Sequence, residues 1–252
     1  MNGKQYKFDR LKQAEKLNPE QKQVRLMKEL QEKLQLPTLP YQIECFDNSN
    51  ISGTDAVAAC VVFKKMKPSK SDYKRYNIKT VTGPDDYASM KEVVFRRYKR
   101  LLDEEQPLPD LIIADGGKGQ MEVIREVIQD ELNLDIPIAG LAKNDRHRTN
   151  ELLYGFPPMS VALKTDSELF HVLTQLQDEV HRFAITFHRE KRSKRALGSE
   201  LDNITGIGPK TRDALLNGLK SVRKIQEATQ AQLEAVIGKA KAELVFRHFH
   251  GE

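Results

Sequence analysis

The sequence predicts an α/β fold, a mixed sheet flanked by helices, followed by a small all-α unit. Three observations predict it. Apolar residues follow strand patterns from Tyr41 to Val81, short apolar runs alternate with helical patterns from Gly83 to Phe187, and residues 201–252 are helical around a Gly-Ile-Gly turn. The 252 residues are 39% apolar and 31% charged, the profile of a soluble chain with a buried core. No run approaches the ~18 apolar residues of a membrane span. The N-terminus Met-Asn-Gly-Lys-Gln-Tyr-Lys has no apolar signal segment, so no membrane partner and a cytoplasmic location are expected. Cys45 and Cys60 fit neither a disulfide framework nor a zinc finger. A net charge of +5 permits a nucleic-acid partner, but the charge must first be located along the chain.

Residues 8–36 read as helix. Asn18-Pro19-Glu20 supplies an N-cap, a proline at the first helical position and an early acid. Val24, Met27, Leu30 and Leu34 then recur at helical spacing until Pro37 and Pro40, so 1–38 is expected to be a solvated amphipathic lead-in. Tyr41 to Asp47 alternates, Ala56 to Phe63 is continuously apolar, and the turn cluster Asn48 to Gly53 between them predicts a hairpin. Tyr73 to Val81 reads as a third strand, and Gly83-Pro-Asp-Asp86 starts a helix to about Leu102. Asp110 to Asp115 is a short apolar strand that passes through Gly116-Gly-Lys-Gly119 into a helix. Ile136 to Leu141 is a further buried strand, Leu152 to Leu163 a hairpin around Gly155, and Ser167 to Phe187 a long helix. Residues 39–187 thus form the α/β domain, 188–200 a basic linker with five Lys/Arg and two Glu, and 201–252 the helical unit.

Asp47 and Asp115 each close a strand and are each followed by turn residues. A single such acid reads as a helix cap. Two of them point to the crevice at the carboxyl ends of parallel strands, where paired carboxylates suit Mg²⁺ or Mn²⁺. On the long helix the stripe Leu169, Leu173, Leu176, Val180, Phe183, Phe187 leaves His181 at its flank, as a surface histidine or one reaching the sheet edge. Gly116-Gly-Lys118-Gly119 fails the Walker pattern. It remains either a tight turn or a set of free N–H groups, with Lys118, for an anionic backbone.

In the C-terminal unit Gly206, Ile207, Gly208 and Lys210 resemble a helix-hairpin-helix motif, whose glycine turn sets backbone N–H groups against a DNA phosphate. A second copy follows at Val236-Ile-Gly238-Lys239-Ala-Lys-Ala242, with Ala240 expected at the second glycine position.

Cys45-Phe-Asp-Asn-Ser-Asn50, Tyr76-Asn-Ile, Asp85-Asp-Tyr-Ala-Ser-Met90, Ala114-Asp-Gly-Gly-Lys-Gly-Gln120, Asp178-Glu-Val-His181 and the hairpins follow one another in the order found in the UvrC family. That family is the endonuclease subunit of bacterial nucleotide excision repair. The resemblance covers about residues 5–250 and corresponds to the family's C-terminal half, without its GIY-YIG nuclease domain or UvrB-contacting hairpin. It implies an RNase H-like endonuclease domain with tandem helix-hairpin-helix motifs, cutting the damaged strand 5′ to the lesion. The family's triad falls on Asp47, Asp115 and His181, and a further acid on Asp86. Asn48 and Asn50 depart from the Ile and His that many relatives carry.

The expected chemistry is phosphodiester hydrolysis with a divalent ion on Asp47 and Asp115, and with His181 as ligand or proton carrier. The expected partners are double-stranded DNA with a bubble or lesion, UvrB, and UvrA through the pathway. The alternatives are a silent DNA-binding scaffold and an enzyme of RNA–DNA hybrids, against which the hairpins argue.

Overall fold

The computed structural model describes residues 3–49, 56–144, 146 and 149–251. Its contacts divide the chain into two compact units, 1–185 and 186–252. The first unit opens with two helices, α1 (Gly3–Leu17) and α2 (Pro19–Leu34). Asn18 caps α2 by accepting from the Glu20 N–H at 3.2 Å, with Pro19 at the first helical position. The sheet strands follow: β1 (Gln42–Ser49), β2 (Val57–Lys64), β3 (Lys67–Pro68) and β4 (Lys74–Asn77). After helix α3 (Asp86–Asp103) come β5 (Leu111–Ala114), helix α4 (Lys118–Arg125) with a π-helical turn at Glu126–Glu131, β6 (Ile138–Lys143), β7 (Thr149–Tyr154) and β8 (Met159–Val161). Helix α5 (Glu168–Asp202) then runs from the first unit into the second.

The strand order is β3-β2-β1-β5-β6-β7-β8, with β4 also paired to β2. β1 pairs antiparallel with β2 as the hairpin pattern predicts, and parallel with β5, which is itself parallel to β6. The predicted turn lies partly outside the described residues. The sheet is therefore mixed, with a parallel centre buried on both sides. Strand alternation sorts β1 between the two faces. Ile43 and Cys45 join a core with α2 and α5, and Phe46 joins one with α3 and α4.

On the α3 face Glu44 is fully buried. Arg97 donates to its two oxygens at 2.7 and 3.3 Å, and the Tyr98 hydroxyl donates at 2.9 Å. A charge at that depth is tolerable only with such partners.

Three expectations need correction. α2 is not a solvated lead-in: Leu26, Met27, Leu30 and Leu34 are buried in the core, while Val24 is exposed. The third strand stops at Asn77 because the Lys79 and Thr80 N–H groups turn to the Glu92 carboxylate, at 2.9 and 2.8 Å. The 188–200 stretch is helix, not linker; its Lys, Arg and Glu are good helix formers, and Leu197 and Leu201 bury themselves in the second unit's core.

In the second unit α5 leads to α6 (Pro209–Leu219), α7 (Val222–Gln226), α8 (Gln230–Ile237) and α9 (Lys239–His250) around Ile207, Leu215, Ile225, Leu233 and Val245. No helix among the described residues is long and apolar enough to cross a membrane.

Leu30→Ala should cost about 2–5 kcal/mol in urea denaturation, the range of a core truncation. A cost under about 0.5 kcal/mol, that of a surface position, would return α2 to solvent.

Candidate metal centre and hairpin unit

β1 and β5 run parallel with Phe46 opposite Ala114, and the Asp115 N–H donates to the Phe46 carbonyl at 3.1 Å. One step further along each strand stand Asp47 and Asp115. Asp47 has the parity of Ile43 and Cys45, and Asp115 that of Leu111 and Ile113, so both side chains leave on the α5 face. The sheet thus sets two carboxylates side by side at the end of its buried centre. Asp47 does not close its strand, as expected from sequence, but lies within it, since β1 continues to Ser49.

α5 brings the third group. Leu169, Leu173, Leu176, Val180 and Ala184 pack into the core, and His181 sits at the flank of that stripe. Its Nδ1 lies 3.1 Å from Asp47 Oδ2. One ligand atom from each of Asp47, Asp115 and His181 falls within 4.8 Å of the others. The side chains of Asp115 and Asp47 are 2% and 12% exposed and that of His181 is 56% exposed, so the group is closed below and open at the histidine.

Two residues that the sequence reading missed hold Asp115. The Lys143 ammonium stands 2.9 Å from Oδ1, and Gln177 Nε2 donates to Oδ1 at 2.5 Å. Gln177 is 1% exposed; it also donates to the Leu141 carbonyl at 3.0 Å and accepts from the Thr149 hydroxyl. Each carried a signal. Lys143 ends an apolar strand as Asp115 follows one, and Gln177 lies one turn before His181, interrupting an apolar stripe.

Asp86 does not join the group. It opens α3 on the opposite face of the sheet, where the helix dipole favours an acid in the first turn, and its carbonyl accepts from Asn48 Nδ2 at 2.7 Å. Lys118 is exposed at the first position of α4, whose N-cap Gly117 makes no side-chain cap.

In the second unit Gly206 adopts φ 93°, Gly208 is the N-cap of α6, and Lys210 is exposed in its first turn. Ile207 is buried and anchors the turn. The second hairpin differs from its expected alignment. Gly238, at φ 79°, ends α8 and caps α9 by itself, so it takes the place of Gly208, and the missing glycine is at Val236 rather than Ala240. Lys239 is exposed at the start of α9, and Lys241 Nζ lies 2.9 Å from the Thr211 hydroxyl, drawing the starts of α6 and α9 together.

Residues 31–185 match the family described as UvrC RNAse H endonuclease domain, and residues 198–248 match the SAM-like Helix-hairpin-helix tandem. The chain belongs to the UvrC family. It is 69% identical over 245 residues to UvrABC system protein C of Bacteroides fragilis, covering 97% of this chain and 40% of that protein. Against UvrABC system protein C of Porphyromonas gingivalis it is 51% identical over 247 residues, again 97% of this chain and 40% of the other. The chain thus spans about two-fifths of the length of these UvrC relatives. The structure of human ENDOV covers 65% of this chain and 90% of its own at 13% identity and a TM-score of 0.38, too distant to carry a point of chemistry.

The electrostatics of this UvrC rim are strained in one direction. Burial, foremost, raises the Asp47 carboxyl above its ordinary 3.8, the Asp115 charge adds to the rise, and the hydrogen bond from His181 opposes it. His181 is raised above 6.5, mainly by its hydrogen bond to Asp47 and against burial. A raised histidine stabilises the fold fully below about pH 6.5, and this is lost as pH climbs through the raised value. Asp47, also raised, costs the fold stability wherever it is ionised, so both groups act with the same sign. With chelator present, stability from urea denaturation should therefore fall as pH rises above about 6.5. The fall should be shallower in His181→Ala; an equal slope in that variant would exclude the pair as its source.

Proposed function

We propose that the chain is a metal-dependent DNA endonuclease of nucleotide excision repair, hydrolysing a phosphodiester of the damaged strand 5′ to the lesion. The observation that carries the reading is the convergence of Asp47, Asp115 and His181 within 4.8 Å at the end of the parallel pair β1–β5. The donor set fits a divalent ion: two hard carboxylates and an imidazole, with one carboxyl already raised by burial and by its neighbour's charge. Asp47, Asp115 and His181 would hold Mg²⁺ or Mn²⁺. Such an ion supplies an activated water and neutralises charge developing on phosphoryl oxygens.

The chain's own residues do the rest. Gln177 and Lys143 fix the Asp115 carboxylate, so that it does not swing away from Asp47. Lys143 brings a positive charge to the rim, where a phosphate's non-bridging oxygens would otherwise meet two anions. His181, whose Nδ1 lies 3.1 Å from Asp47 Oδ2, would serve in one of two ways, as a ligand of the ion or as the group that takes or gives a proton, and the exposure of its side chain supports either role. In this reading 39–187 is the nuclease domain and 201–252 the DNA-holding unit. Gly206, Ile207, Gly208 and Lys210, with Gly238 and Lys239, meet backbone phosphates, and Lys118 adds a contact beside the nuclease rim. The name shared by the relatives, UvrABC system protein C, supports a place in that system, and in this reading the partners are UvrB and, through the pathway, UvrA.

Asp47→Ala or Asp115→Ala should lower nicking of a bubble duplex in Mg²⁺ or Mn²⁺ by at least about 100-fold, with DNA affinity changed little. A chain that binds the bubble but does not nick it, even with UvrB, is the scaffold instead. Gln177→Ala should raise the metal concentration for half-maximal nicking about 10–100-fold, with the rate at saturating metal largely restored. An unchanged metal titration would remove Gln177 from the site.

A further inference from the structure

The stretch from residue 64 to 79 carries seven Lys and Arg against one acid, Asp72. It forms the β2 side of the sheet: the end of β2, β3, a 3₁₀ turn at Lys70–Asp72 and β4. Part of this charge is used internally. Lys64 pairs with Asp72 at 2.7 Å, and Lys65 lies 3.8 Å from Glu20. Lys70, Lys74 and Lys79 are exposed, and none of the three forms a salt bridge among the described residues.

The placement of Arg75 ties this edge to the rim. Asp47 is opposite Ala59 in the β1–β2 pair, and Ala59 is opposite Arg75 in the β2–β4 pair. Directly opposed residues project from the same face of a sheet, so Arg75 and Asp47 share the α5 face. Only the methyl of the fully buried Ala59 lies between them in the row. Two strand spacings put their Cα atoms about 10 Å apart. The Arg75 guanidinium lies over the Phe183 ring, 4.7 Å from its centroid, on the helix that carries His181 two residues earlier.

We propose that the β4 edge, from Lys70 to Lys79 with Arg75 at its centre, holds the phosphodiester backbone of the DNA on one side of the scissile bond. The contact therefore falls on the same stretch of backbone as the metal centre, within a few nucleotides of it. The inference rests on the nuclease reading of Asp47, Asp115 and His181. Lysines on an edge strand also deter unwanted strand pairing. That role asks only for charge on the edge. It does not ask for an arginine in register with Asp47 and set over a ring of α5. A planar guanidinium suits phosphate oxygens, and the flanking lysines add the diffuse attraction of a backbone track.

The test uses the full chain carrying Asp115→Asn, titrated onto a labelled bubble duplex over a range of KCl. Adding Lys70→Gln, Lys74→Gln and Arg75→Gln should flatten the slope of log K against log salt by about 2 to 3, since each lost phosphate contact is worth about 0.9. A control removing equal charge elsewhere, Lys33→Gln with Lys99→Gln and Arg100→Gln, should keep the slope of its parent. If the edge variant shows the same slope as that control, with both melting as the parent does, the inference is overturned. Nicking by the unsubstituted chain, and its loss in Asp115→Asn, tests the underlying reading separately. The slope reports on the edge whether or not the chain cuts.

Discussion

Two carboxylates set side by side at the end of a buried parallel strand pair repel one another, and the groups around this rim are arranged about that repulsion. The β1–β5 register fixes the spacing: Phe46 faces Ala114, so Asp47 and Asp115 follow on the same face. Water does little to screen them, since their side chains are 12% and 2% exposed. Three partners offset the charge: Lys143 and Gln177 on Asp115, and His181 on Asp47. What these partners leave uncompensated shows in the Asp47 carboxyl, raised first by its burial and further by the Asp115 charge. A divalent cation is the simplest addition that would remove it.

β1 carries a second acid, and the contrast between the two is instructive. Glu44 points to the α3 face and is saturated by the Arg97 guanidinium, the Tyr98 hydroxyl and the Gln42 amide, with the Cys60 thiol alongside. Nothing can reach it without unfolding the core, and its removal from solvent is matched by partners that stay in place. Three residues on, Asp47 faces an exposed histidine, a partner that can turn aside or change charge. One strand thus holds an acid with fixed partners and an acid whose partner can move, and the difference lies in the permanence of those partners.

The sequence discloses the parts of this arrangement that obey a period and hides those set by tertiary contact. Alternation reveals β1, and an apolar run reveals β2 and β5. The position of Asp115 follows from a strand end and that of His181 from a helix flank, while Asp47 stands at the end of the β1–β5 pairing and inside β1 itself. The sequence is ambiguous at α2 because Val24 and Leu26 are both apolar and only packing decides between them; Leu26 enters the core and Val24 does not. The basic stretch at 188–200 carries no apolar period long enough to betray a helix, though its residues favour one and Leu197 and Leu201 find a core. Lys143 and Gln177 belong to residue types that are mostly solvent-facing, and only the strand and helix they end up on make them partners of Asp115. Asp86 shows the converse, an acid in a family motif that the sheet sends to the other face.

α5 is what makes the rim a single object. Gln177 and His181 stand four residues apart, one turn along the same face, and each engages a different carboxylate: Gln177 takes Asp115, and His181 takes Asp47. Their separation along the helix, about 6 Å at 1.5 Å per residue, is close to the spacing of neighbouring strands, about 4.8 Å. One helix laid across the strand ends can therefore serve both acids at once. Rotation of α5 by a single residue, about 100°, would carry both polar groups off the rim and drive Leu173, Leu176 and Val180 out of the core. The apolar stripe that anchors α5 therefore also fixes the polar geometry. Any substitution that loosens Leu173 or Leu176 acts on both carboxylates together, though it touches neither.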